Sequence, residues 1–149
     1  NTTAKITFQH GLIYDKMIKR FGSEAAYLYL ESQINSLKQY REMCKNIPCD
    51  FNECDSYVYT LENRDKIEKE VNAYSKLGYP AKFKENLPLP FSIEGAVCVE
   101  NQAQFNPIKF LLNLASDIKI YENTKITETA APAATRVAVF SCPKQIRPT

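Results

Sequence analysis

The chain has 149 residues and a formal charge of +2, one domain's worth of polypeptide and long enough to bury roughly two-thirds of its unfolded surface. The charge distribution argues against a nucleic-acid partner: residues 126–149 hold Arg136, Lys144 and Arg147 against Glu128, and the first 125 residues balance 16 basic against 16 acidic side chains, with no basic field to meet a polyanion. No apolar run approaches the ~18–20 residues of a membrane span, and no signal-peptide pattern opens the sequence, so no membrane partner is expected.

In chain order, Leu12, Ile13, Met17 and Phe21 recur at three- and four-residue steps, which predicts a short amphipathic helix over 11–21. Gly22 follows as a residue able to take positive φ, and Ser23 caps a second helix with Glu24 in its first turn. Ala26, Leu30, Ile34, Leu37, Cys44 and Ile47 form its inner stripe, and Pro48 ends it. Residues 56–61 read as a β-rich run. Asn63 caps a third helix with Ile67, Val71 and Tyr74 inward, closed by Gly78 and Pro80.

Residues 81–85 form a candidate short strand. Leu87–Pro90 carries two prolines and reads as a connector or a sheet edge. Residues 92–100 read as a strand. Asn106-Pro107 starts a last helix with Ile108, Leu111, Leu112 and Ala115 as its apolar residues. Ile118–Tyr121 alternates as a final strand. The order lacks a regular βαβ repeat, which predicts an α+β domain, a mainly antiparallel sheet with helices on one face. Residues 1–125 form the domain proper. Residues 126–149 change character, with Ala130-Ala131-Pro132-Ala133-Ala134 and a candidate strand at Val137–Phe140, and are set apart as an atypical C-terminal tail.

Several chemistries find no support. Gly11, Gly22, Gly78 and Gly95 are the four glycines, and no two are close, so neither a G-x-G-x-x-G turn nor a Walker loop is present. No G-x-S-x-G elbow occurs. One histidine without H-E-x-x-H leaves no zinc-hydrolase motif, and Cys44, Cys49 and Cys54, spaced by five, match no zinc framework, so no metal site is predicted. The odd cysteine count favours reduced thiols in a cytoplasmic protein. A Cys44–Cys54 or Cys49–Cys54 bridge is the oxidised alternative.

Thr2-Thr3-Ala4-Lys5-Ile6-Thr7 with Gln9-His10-Gly11-Leu12-Ile13-Tyr14-Asp15, and later Asp55–Thr60, Leu87–Phe91 and Asn101–Pro107, resemble segments of FAD-dependent oxidoreductases of the D-amino-acid-oxidase-like class. Within it the likeness is to a branch often fused to a Rieske iron–sulfur domain. The resemblance covers about residues 1–125 and departs in the tail. It implies the substrate-side domain of a flavoprotein that oxidises an amine or amino-acid-like substrate by hydride transfer to FAD. The chain would then be an excised piece, inactive alone, with no FAD of its own and with the FAD-binding domain of the parent as partner.

By the same resemblance Thr2, Thr3, Lys5 and Thr7 approach the cofactor, Lys5 as a cation beside the flavin ring. His10 is a candidate catalytic acid or base, and Tyr57, Tyr59 and Gln104 line the substrate pocket. Each has a plain reading beside it: a solvated lysine on a terminal strand, a histidine bonded to backbone at a helix start, β-forming threonines, and tyrosines of core or interface. Cys-x-His pairs, the Rieske ligands, are absent, so no iron–sulfur cluster is expected on this chain. The rival function is a non-catalytic protein-interaction domain. Self-association is expected through apolar surface at the N-terminal segment and Ile118–Tyr121.

Overall fold

The long helix at the centre of the fold is broken where the sequence breaks it. In the computed structural model, which describes residues 4–121, 125–130 and 137–141, α1 runs Tyr14–Asn46 with Gly22 non-helical at φ 84°, ψ 164°. That backbone is open to glycine alone. Two helices therefore meet at Gly22, as expected, although the first begins at Tyr14 rather than at residue 11. The second buries Ala26, Leu30, Leu37 and Cys44. Ile47 is already extended before Pro48, as the proline ring demands of its predecessor.

The other elements are β1 (Lys5–Ile6), β2 (Asn52–Thr60), α2 (Arg64–Lys76), β3 (Lys82–Lys84), β4 (Gly95–Gln104), α3 (Pro107–Leu114), β5 (Lys125–Ala130) and β6 (Val137–Ser141). The fold is α+β. β4 pairs antiparallel with β2 along one side, and with β3 and β1. Residues facing each other across antiparallel strands share a sheet face. Val58, Val97 and Phe83 are aligned in this way and join Leu30, Leu37, Ile67 and Tyr74 in the main core between sheet and helices. Tyr57 and Lys82 flank Cys98, and Tyr59 and Lys84 flank Ala96, on the opposite face.

Both predicted asparagine caps are made. Asn63 Oδ1 accepts from Lys66 N at 3.2 Å, and Asn106 Oδ1 accepts from the N–H groups of Ile108 and Lys109 at 3.1 and 3.2 Å. α3 shows most of its expected apolar residues to solvent. Its inward residue is Phe110, set in a second core with Cys44, Ile47 and Cys49, whereas Ile108, Leu111 and Leu112 are exposed. Apolar spacing marks a helix face without saying what covers it.

The chain divides into two compact units, Asn1–Asn113 and Leu114–Thr149. In the second, β5 and β6 pair antiparallel, so the strand expected at 137–140 is present. Ile118–Tyr121 is not a strand: it follows a turn closed by Ile118 N to Ala115 O at 3.0 Å. Among the described residues, no helix is long and apolar enough to cross a membrane.

Candidate functional site

The N-terminal strand lies at the end of β4, with Lys5 opposite Gln104 and Ile6 opposite Ala103. β1 is the terminal strand of the plain reading of Lys5, and at two residues it is too short to show a period. Its position creates a recess against α1. Lys5, Ile6 and Thr7 form one wall, Gln33, Ser36, Leu37 and Tyr40 of α1 the other, and Phe105 the end; the cavity is about 190 Å³. Gln33, Ser36 and Tyr40 lie at helical steps of three and four, so one turn-spaced stripe presents three polar side chains to β1.

His10 sits exposed beside this recess, its Nε2 3.3 Å from Gln33 Oε1. It is neither at a helix start nor bonded to backbone there. Thr7 Oγ1 accepts from Gln9 N at 2.9 Å, which fixes the turn that carries His10. Gln33 lines the recess with Lys5 and Thr7 and also reaches His10 at its rim. Gln33, Ser36 and Tyr40 were not singled out from the sequence, although their i, i+3, i+7 spacing was a readable signal. Thr2 and Thr3 lie outside the described residues.

Gln104 borders a second hollow, with Ala4, Asp50, Phe105, Asn106 and Pro107. Ala4 holds a left-handed φ of 59°, and its carbonyl accepts from Phe105 N at 3.1 Å, which ties β1 to the chain leaving β4.

Tyr57 and Tyr59 are elsewhere. They face Cys98 and Ala96, six and eight positions along β4 from Gln104, roughly 20 Å or more at strand spacing. Both are on the sheet face away from the helices and are exposed. The structure therefore separates the expected substrate tyrosines from Lys5. The contact of Tyr57 with the Cys98 thiol, then burial, push its hydroxyl up to about 12.

The cysteines are thiols. Cys44, Cys49, Cys54 and Cys98 are free, and Cys142 lies outside the described residues. Burial, then the neighbouring Cys49 thiol, push the Cys44 thiol up to about 11. Among the described residues no three His, Cys, Asp or Glu side chains converge as a metal site.

No protein-family model and no solved structure matches the chain. Over 133 residues, 83% of the chain, it is 38% identical to a Bacillus subtilis (strain 168) protein named Rieske 2Fe-2S iron-sulfur protein YhfW. The matched stretch is 26% of that protein, so the chain spans about a quarter of the curated relative's length.

This similarity overturns the flavin reading. The relative is named for an iron–sulfur cluster, so the assignment to FAD-dependent oxidoreductases, the amine-oxidising hydride transfer and FAD as the parent's cofactor are all corrected. The flavin-facing role given to Lys5 and Thr7 falls with them.

A Rieske cluster does not fit this chain either. It takes two histidines and two cysteines. The chain has one histidine, and that one is bonded to Gln33.

Proposed function

We propose that the chain is a cluster-free domain of a Rieske-type iron–sulfur electron-transfer protein, one that contributes a polar binding recess and a docking face while the redox centre sits elsewhere in the polypeptide. The observation that carries this is the 38% identity to YhfW over a quarter of its length, taken with a donor set that cannot ligate its named cluster. The recess between β1 and α1 is the binding surface in this reading. The Lys5 ammonium, the Ser36 and Tyr40 hydroxyls and the Gln33 amide supply donors for a small polar molecule rich in acceptor oxygens, with His10 at the rim as a proton carrier. The exposed stripe Ile108, Leu111 and Leu112 of α3 docks on the remainder of the longer protein. Free, unbridged thiols fit a cytoplasmic setting.

The test is made on YhfW. The stretch matching this chain and the remainder are produced separately, and iron, acid-labile sulfide and electron paramagnetic resonance are measured on each. Cluster in the remainder and none in the matched stretch is the expected result. Stoichiometric iron in the matched stretch overturns the division of labour, and iron in neither overturns the electron-transfer reading.

A further inference from the structure

β2 is a sheet edge. β4 pairs with β2 on one side and with β1 and β3 otherwise, and among the described residues no strand lies beyond β2. Edge strands expose a row of backbone N–H and C=O groups, and proteins commonly shield them with proline, charge, bulges or shortness. β2 is nine residues long. The register shift opposite Cys54–Ser56 places its extra residue on β4, since Cys54 pairs with Gln102 and Ser56 with Val99, and the β2 run that follows, Ser56-Tyr57-Val58-Tyr59-Thr60, has neither proline nor charge. Tyr57, Tyr59 and the following Leu61 are 40%, 45% and 56% exposed. Tyr59 leans on Phe91, ring centroids 5.8 Å apart, and that ring is exposed as well.

We propose that this edge pairs antiparallel with the same edge of a second copy of the chain, about a two-fold axis at Val58. The sequence is self-complementary in that register. Tyr57 of each copy faces Tyr59 of the other on the outer face. Ser56 faces Thr60, and Val58 faces Val58, on the helix face. Aromatic pairs and Ser–Thr pairs are among the favourable cross-strand combinations. The paired run is Ser56–Thr60, and the positions facing Asp55 and Glu53 lie past the end of β2, so no carboxylates meet. A two-fold at Asp55 sets two carboxylates against each other, and one at Tyr57 sets Ser56 against Val58 and Asp55 against Tyr59. The dimer is isologous and closed, removes both free edges and continues one sheet through both copies. It rests on the edge geometry and not on the function proposed above.

Sedimentation velocity of the chain over roughly 10–300 µM reads the association, in the range expected of a small interface. The expected result is a dimer that dissociates on dilution. The double substitution Tyr57→Lys with Tyr59→Lys puts like charges face to face and should leave a monomer, its circular dichroism that of the parent. Tyr57→Lys with Tyr59→Glu puts unlike charges face to face in this register and should restore the dimer. A parent chain that stays monomeric throughout overturns the proposal. So does a dimer that survives the Lys/Lys change, which would place the contact on another face such as α3, or identical behaviour of the two double variants.

Discussion

The carboxylate of Glu70 closes the start of the helix that begins at Tyr14, 56 residues away in sequence: Glu70 Oε1 accepts from Tyr14 N at 2.9 Å. The same oxygen accepts from Ile13 N at 3.0 Å, and Oε2 accepts from Asp15 N at 3.1 Å. α1 has no side-chain cap of its own at Ile13. α2 therefore supplies it, and one fully buried side chain satisfies three of the donors that a helix start leaves open. Tyr14, itself buried, packs against Tyr74 of α2 with ring centroids 4.7 Å apart and planes tilted by 52°, so polar and apolar contacts fix the same junction.

Glu70→Ala should cost about 2–3 kcal/mol, because it strands several N–H groups where little else can reach them. Glu70→Gln should cost less, since its amide oxygen can still serve Ile13 and Tyr14. Chemical denaturation of the three proteins checks the order. Equal stability of the alanine variant and the parent would show that water caps α1 as well as Glu70 does.

The same group sets a pH dependence. Burial, the largest influence, raises the Glu70 carboxyl above its ordinary 4.5, and the three backbone N–H bonds pull it partly back. A carboxyl raised in the folded state gives stability that is complete below the unfolded value and is lost as pH rises through the folded one. The parent should therefore lose stability relative to Glu70→Gln as pH climbs from about 4.5 upward. Urea midpoints of both proteins measured across that window test the sign. A parent that gains on the variant over the same range would mean that the helix-start N–H groups outweigh burial.

Gly22→Ala should destabilise the chain by about 1–3 kcal/mol, the cost of a non-glycine residue in so rare a region. Nothing lies within 4 Å of where the new Cβ would stand, so the effect is conformational and not steric. Thermal unfolding reads it. An unchanged midpoint would mean that α1 straightens at no cost.

Much of this fold could be read from local chemistry. Asn63, Asn106, Gly22 and Pro48 each act within a turn of their own position, and each does what its residue type predicts. Glu70 shows where local reading stops. It stands at the inward spacing of Ile67, Val71 and Tyr74, so its burial was signalled by position and masked by its charge, and its partner N–H groups are remote in sequence. The recess follows the same pattern: Lys5 and His10 were visible as chemistry, while Gln33, which lines the recess with Lys5 and touches His10, belongs to a helix that only the fold brings across. Tyr57 and Tyr59 were grouped with Lys5 by resemblance, and the register of β2 on β4 separates them.

Cysteine reactivity should divide by burial. Cys54 is partly exposed, whereas Cys44, Cys49 and Cys98 are buried, and burial raises the thiols of Cys44 and Cys98. Only thiolate reacts with alkylating agents. Under native conditions near pH 7.5, iodoacetamide should modify Cys54 well before those three, by about tenfold or more, as followed by peptide mass spectrometry. Early modification of Cys44 or Cys49 would show that the second core opens readily.

That second core carries the last prediction. α3 is eight residues long, too short to persist unaided. It is held by Phe110 against Tyr40 and Phe105, ring centroids 5.7 and 5.3 Å away. It is also held by Asn106 N donating to Cys49 O at 2.6 Å, and by Lys109 paired with Asp50 at 2.8 Å. The ion pair is exposed on both sides and contributes little. Phe110→Ala removes a buried ring whose loss ordinarily costs about 3–5 kcal/mol. Undocking of α3 alone limits the global loss, because the main core between α1, α2 and β4 does not use Phe110. The expected outcome is local: amide exchange over 107–114 should accelerate to near the unfolded rate, while the amides of β4 and of the second half of α1 keep their protection and the unfolding midpoint falls only modestly. Exchange followed by mass spectrometry separates the two regions. If protection is lost uniformly, the two cores unfold as one unit, and α3 is integral to the fold rather than an appended docking element.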